Sequence, residues 1–108
     1  MVDVAVIGVG QTRYGMFPER TLKDLFHEAA VNALNDVDKG LNPQDVEEAF
    51  IGTLSTGGAQ LGNFAPLMME AAGMIGASAR HIENACASSG YAMRDAVAAI
   101  ASGRINIA

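Results

Sequence analysis

Alternating strand-like and helix-like segments along the 108 residues predict an α/β layer fold with a largely parallel sheet. Two observations carry this reading. Residues 22–37 repeat apolar side chains at i, i+3, i+4 and i+7, the period of a helix face. Short apolar, β-branched runs precede each helical segment, and Gly or Pro punctuates the joints between them. The order is strand, helix, strand, helix, strand, helix, strand.

The first strand is expected from Val2 to Val9, ending at Gly8 and Gly10, with a loop over residues 11–20 that contains Gly15 and Pro18. Thr21 reads as an N-cap and Asp24, three residues on, as its capping-box partner. The apolar stripe then comprises Leu22, Leu25, Phe26, Ala29, Ala30, Ala33, Leu34 and Val37, and Lys39-Gly40 stops the helix before a turn at Asn42-Pro43. Residues 48–54, with Phe50, Ile51 and Leu54, read as the second strand, followed by a glycine-bearing loop over 55–62. A second helix is expected from about Asn63 to Ala72, with Pro66 in its first turn and Gly73 as terminator. Residues 82–85 read as a short third strand, Cys86 to Ser102 as the third helix with Gly103 as its C-terminal cap, and Ile105 onward as the fourth strand. Because that strand has barely begun at Ala108, the chain is expected to be a fragment, or one domain, of a longer protein.

Half the residues are hydrophobic and 18% are charged, an ordinary globular balance, and the length is that of one domain. A formal net charge of −5 without a Lys/Arg cluster argues against a nucleic-acid binder. No run approaches a membrane span, and the N-terminus lacks the basic and long apolar regions of a signal peptide. A single cysteine excludes an internal disulfide and fits a reducing, cytoplasmic compartment.

Cys86 is the residue on which function turns. A lone cysteine is commonly a small buried apolar side chain, but this one sits between a strand-like run, residues 80–85, and a small-residue helical segment. At a helix start, unpaired N–H groups and the positive end of the dipole favour thiolate over thiol, and thiolate attacks carbonyls. The third helix carries few charges beyond Arg94 and Asp95 and is rich in Ala, Ser and Gly. It reads both as a buried core helix and as one whose N-terminus lies at a site between layers.

Other motifs read more plainly. Gly8-Val9-Gly10 misses the dinucleotide fingerprint, because Arg13 stands at its sixth position and no helix starts beyond it, so it is a strand-ending turn. His27 falls on the polar side of the first helix. His81, five residues before Cys86, is a fold-dependent candidate base. Glu47-Glu48 and Asp36/Asp38 are expected to be solvated, and Met68, Met69 and Met74 to fill core. Two histidines and one cysteine make no metal-ligand spacing.

With strand, cysteine and helix placed, Val4-Ala5-Val6-Ile7-Gly8-Val9-Gly10-Gln11-Thr12-Arg13-Tyr14-Gly15 resembles the opening of thiolases, especially the sterol-carrier-protein-like and archaeal acetyl-CoA acetyltransferase branch. Glu83-Asn84-Ala85-Cys86-Ala87-Ser88-Ser89-Gly90 resembles that branch's nucleophile segment, and the likeness runs on to Gly103. One departure is Ser89, where the family often has Gly. The resemblance implies a thiolase-like half, in which residues 1–108 are most of the N-terminal domain of a two-half chain and the nucleophile helix is buried. It implies Cys86 as the acyl-carrying nucleophile, acyl-CoA as substrate, no resident cofactor or metal, and a place in lipid metabolism. A homodimer or homotetramer is implied, with residues 81–85 and 57–63 near subunit contacts. The histidines and second cysteine of the family belong to the other half, so these residues alone are expected to be inactive.

Two rivals accompany this reading. A ketoacyl synthase or hydroxymethylglutaryl-CoA synthase would also acylate a cysteine at a helix start; the opening Gly8-Val9-Gly10-Gln11-Thr12 favours thiolase. A catalytically silent thiolase-like subunit, binding a partner protein in a larger complex, is the alternative of another class.

Overall fold

The computed structural model describes residues 2–108. It contains α1 (Leu22–Asp36), β1 (Glu48–Gly52), α2 (Phe64–Ala71), β2 (Ser78–Ile82) and α3 (Ser88–Ala101), with a single 3₁₀ turn at Pro43–Asp45. β1 and β2 pair in parallel, with Glu48 opposite Ser78 and Gly52 opposite Ile82, and α2 makes the crossover between them. This is the parallel α/β arrangement that the alternation predicts.

α1 starts where its cap chemistry says it should. Thr21 Oγ1 accepts from the Asp24 N–H at 3.2 Å, and the Asp24 carboxylate accepts from the Thr21 N–H at 2.8 Å. Each satisfies a donor that the first helical turn leaves orphaned. All eight residues of the expected apolar stripe are half-buried. His27, expected on the solvated side, is exposed yet tied down: its Nδ1 lies 2.7 Å from the Ala71 carbonyl and joins α1 to the end of α2.

The other two helices end alike. In α2 the Gly73 N–H bonds Glu70 O at 3.1 Å and the Met74 N–H bonds Met69 O at 3.0 Å; in α3 Gly103 and Arg104 bond Ile100 O at 2.9 Å and Ala99 O at 3.2 Å. Both are Schellman closures, and both need the left-handed residue that Gly73 (φ 74°) and Gly103 (φ 77°) supply. Met68 and Met69 are buried as core, and Ala65, Ala72, Ala92 and Ala99 are buried as well. α3 buries a narrow stripe of Ser88, Ala92 and Ala99. Its other faces, with Tyr91, Met93 and Val97, are open, so the expected burial is one-sided in this chain.

Three expected strands change. Residues 2–9 form no ladder: Ile7 and Gly8 share with residues 49–53 the lining of a cleft of about 510 Å³ but do not pair with β1. The segment lies instead along α1, where Val9 N–H bonds Asp36 Oδ2 at 2.9 Å and Asn32 Nδ2 bonds Gln11 O at 3.2 Å. The two glycines serve this approach. A Cβ on Gly8 would come within 2.4 Å of Ala33 O, and one on Gly10 within 2.1 Å of Ala29 O. The third strand occupies 78–82 rather than 82–85, because Ala85 is left-handed (φ 46°) and ends any extended run. Residues 105–108 are not a strand either. Glu47 takes the place of a ladder partner, its Oε1 accepting from Asn106 N–H at 2.7 Å and Ile107 N–H at 3.2 Å.

These carboxylates are expected to make the fold acid-sensitive. The Asn106 and Ile107 N–H groups hold Glu47 below its usual 4.5, and the Thr21 N–H and hydroxyl hold Asp24 below its usual 3.8. Depressed carboxylates stabilise the fold fully above their unfolded values and lose that contribution as pH falls through the folded ones. The melting temperature is therefore expected to hold above about pH 5 and to drop below it, less steeply in Glu47→Gln. Thermal melts across acidic pH check this; parallel curves for the two proteins would count against it.

Candidate active site

Parallel pairing brings the carboxyl ends of β1 and β2 side by side, and the Thr53 N–H bonds Ile82 O at 3.2 Å just beyond them. From Ile82 the chain turns through residues 83–87 into α3. Cys86 lies in that turn, free and exposed. Crossover topology gathers loops and helix N-termini at the carboxyl ends of parallel strands, which is where such sheets bind ligands. The helix begins at Ser88, with Ala87 as N-cap, and not at Cys86 as expected. The left-handed Ala85 turns the chain first, so the thiol sits one residue outside the cap, beside the positive end of the helix dipole.

The turn is braced from within. Glu83 Oε2 accepts the Ala85 N–H. The buried Ser88 hydroxyl accepts from Asn84 N–H at 2.8 Å and donates to Ala85 O at 2.7 Å. Backbone bonds from Ala87 N to Asn84 O (2.9 Å) and from Ser88 N to Ala85 O (3.2 Å) close it. Gly52, the last residue of β1, seats the helix start: a Cβ there would lie 2.6 Å from Ser89 N and 2.7 Å from Ser88 C. Ser89 is exposed.

Sequence reasoning named Cys86 but missed Glu83, Ser88 and Gly52. A glycine closing an otherwise apolar strand was the available sign of close backbone approach. A serine two residues after the cysteine was the available sign of a bonded turn.

Other candidates fall elsewhere. His81 Nε2 lies 3.0 Å from Thr53 O, and its ring packs against Phe64 with centroids 5.4 Å apart. A carbonyl only accepts, so Nε2 carries the hydrogen in this contact, which gives no support to His81 as the base for Cys86. Glu48, expected to be solvated, is 1% exposed and faces Arg80 and Arg104 at 2.5 Å each. At the head of a paired strand its side chain points inward, and two arginines supply the compensation that a buried carboxylate requires. Among the described residues no group of three or more His, Cys, Asp or Glu is placed to hold a metal ion. Among the described residues no helix is long and apolar enough to cross a membrane.

Residues 1–108 match the family described as "Thiolase, N-terminal domain". The chain belongs to the thiolase N-terminal domain family. Among curated proteins this thiolase domain is 37% identical over 110 residues to an acetyl-CoA acetyltransferase of Methanocaldococcus jannaschii, a match that covers 99% of this chain and 27% of the relative. It is 35% identical over 104 residues to an acetyl-CoA acetyltransferase of Methanothermobacter thermautotrophicus, covering 95% of this chain and 27% of that relative. The thiolase domain thus spans about a quarter of the length of the curated relatives it matches.

Proposed function

We propose that Cys86 is the acyl-carrying nucleophile of an acyl-CoA C-acyltransferase, a thiolase. The observation that carries this is the exposed thiol in a braced turn at the carboxyl ends of a parallel strand pair, within a thiolase N-terminal domain. The two archaeal relatives bear the name acetyl-CoA acetyltransferase, which supports acetyl-CoA or another acyl-CoA as substrate.

The Cys86 thiolate attacks the thioester carbonyl of an acyl-CoA, and the coenzyme A thiolate leaves and takes up a proton. The acyl group then rests on Sγ. A second acyl-CoA, deprotonated at its α-carbon, attacks the acyl-cysteine carbonyl; the carbon–carbon bond forms and the Cys86 thiolate is released. In reverse, Cys86 cleaves a 3-ketoacyl-CoA. Each addition builds charge on the carbonyl oxygen, which backbone N–H donors at a helix start are suited to receive.

In this reading residues 1–108 are most of one half of a longer two-half chain, and the acid/base groups that activate the second substrate come from the other half. Acyl-CoA is substrate, and no resident cofactor or metal is required. The protein works in the cytoplasm, in lipid metabolism, as a homodimer or homotetramer. The outer edge of β2 has no partner among the described residues, and an open edge calls for cover.

Intact-mass analysis of the full-length protein after incubation with acetyl-CoA tests the proposal. One added acetyl group is expected, and none in Cys86→Ala. Absence of the adduct in folded protein would favour a silent binding subunit.

A further inference from the structure

We infer that Ser88 is a positioning residue, whose hydroxyl holds Ala85 in the left-handed conformation and thereby aims the Cys86 thiol. The inference rests on the reading of Cys86 as nucleophile and extends it to a residue without any reactive role.

Ser88 is 3% exposed although it stands in the first turn of α3, where serine side chains ordinarily meet water. Its Oγ makes two bonds to the turn: it accepts from Asn84 N–H at 2.8 Å and donates to Ala85 O at 2.7 Å. These two groups flank the only strained link of the segment. Ala85 has φ 46°, a region that alanine visits at a cost because its Cβ crowds the following carbonyl. Such conformations persist where surrounding contacts over-determine them. Glu83 supplies one such contact, to the Ala85 N–H, the backbone bonds of Ala87 and Ser88 supply two, and the Ser88 hydroxyl adds two more. The Ser88 backbone is itself closely seated, since its carbonyl carbon lies 2.7 Å from the place a Gly52 Cβ would take. A closely seated helix start therefore grips the left-handed residue, and Cys86 is the next residue along the chain.

The side chain does not act as the helix cap. The N-cap, Ala87, has no side-chain cap bond, and the Ser88 hydroxyl reaches back to residues 84 and 85 instead of forward into the helix. Its loss is thus expected to show in the thiol before it shows in the helix.

The test uses the full-length protein and reads the rate of Cys86 alkylation by iodoacetamide as a function of pH, alongside kcat and KM for acetyl-CoA. In Ser88→Ala the alkylation profile is expected to shift along the pH axis, and kcat to fall by about 10- to 100-fold, as small misplacements of reacting groups do, with KM changed far less. Adding Ala85→Gly makes the left-handed residue inexpensive. The double variant Ser88→Ala/Ala85→Gly is therefore expected to regain most of the lost rate and the original profile. A purely structural loss at the helix start would not be rescued in this way. If Ser88→Ala does not fold, recovery of folded, normally titrating protein in the double variant supports the inference, and no recovery overturns it. An unchanged profile in folded Ser88→Ala overturns it too, even where the acetyl adduct forms. A wild-type protein that takes up no acetyl group, but whose alkylation depends on Ser88, would sink the proposed function and leave the positioning role standing.

Discussion

Gly52→Ala is expected to destabilise the full-length protein by about 3 kcal/mol, the upper end for overpacked sites, and to lower acyl transfer by about 100-fold. Three backbone atoms of α3 occupy the place of the new methyl group: Ser89 N at 2.6 Å, Ser88 C at 2.7 Å and Ser89 Cα at 2.7 Å. A flexible side-chain tip could move aside, but a helix backbone moves only as a body. It would carry the 83–87 turn, and so Cys86, away from the carboxyl ends of the strands. Gly52 is not among the residues with positive φ, so the substitution strains no dihedral and the effect is purely one of space. Gly62 makes the natural control, since it too lacks a positive φ and a Cβ there would meet nothing within 4 Å. Gly62→Ala is expected to stay within about 0.5 kcal/mol of wild type. Thermal melts and acetyl-transfer assays of both variants decide the matter. A Gly52→Ala protein with native melting temperature and rate would refute the close seating of α3 on β1.

That seating explains which parts of the molecule were legible in the sequence. Helix faces were legible because period and caps are local: the α1 stripe, the Thr21–Asp24 box, Gly73 and Gly103 all follow from neighbours within a few positions. Strands were legible only where a partner edge exists in the chain. Residues 2–9 have the composition of a buried strand, yet they lie on α1 through two glycines, a contact that local pattern cannot encode. β2 was misplaced by four residues because Ser78, Arg80 and His81 make it polar, as befits an open edge. At the site, a single reactive residue type marked Cys86. The residues that hold it, Glu83, Ser88 and Gly52, are chemically ordinary and become meaningful only through distances. Glu48 was misread for the same reason, since its two partners lie 32 and 56 residues away along the chain.

Glu48→Gln is expected to cost about 2–3 kcal/mol. Breaking a buried ion pair typically costs about 3–5 kcal/mol, and this one falls lower because its cations can retreat into water. Glu48 is 1% exposed, whereas the Arg80 and Arg104 side chains are 51% and 47% exposed. Neither carboxylate oxygen meets a guanidinium with the alignment of a hydrogen bond, although each lies 2.5 Å from a nitrogen. The attraction is therefore chiefly Coulombic, and a neutral amide of the same volume removes it without opening a cavity. Arg80 keeps a second hold, its guanidinium lying 5.3 Å over the Phe50 ring, so β2 loses less than the α3 end does. Arg104 has no such reserve; it reaches Glu48 from the residue after Gly103, where the Schellman closure delivers it. Glu48 thus holds the far end of the helix whose near end rests on Gly52. Loosening the far end is expected to lower the melting temperature while the alkylation of Cys86 changes little, the reverse of the Ser88 variant. A combined Glu48→Leu, Arg80→Met and Arg104→Met protein is expected to recover part of the loss, because an apolar side chain at the one buried position needs no counter-charge. Urea denaturation of the single and triple variants separates the outcomes. If Glu48→Gln proves neutral, the two arginines contribute nothing that water does not.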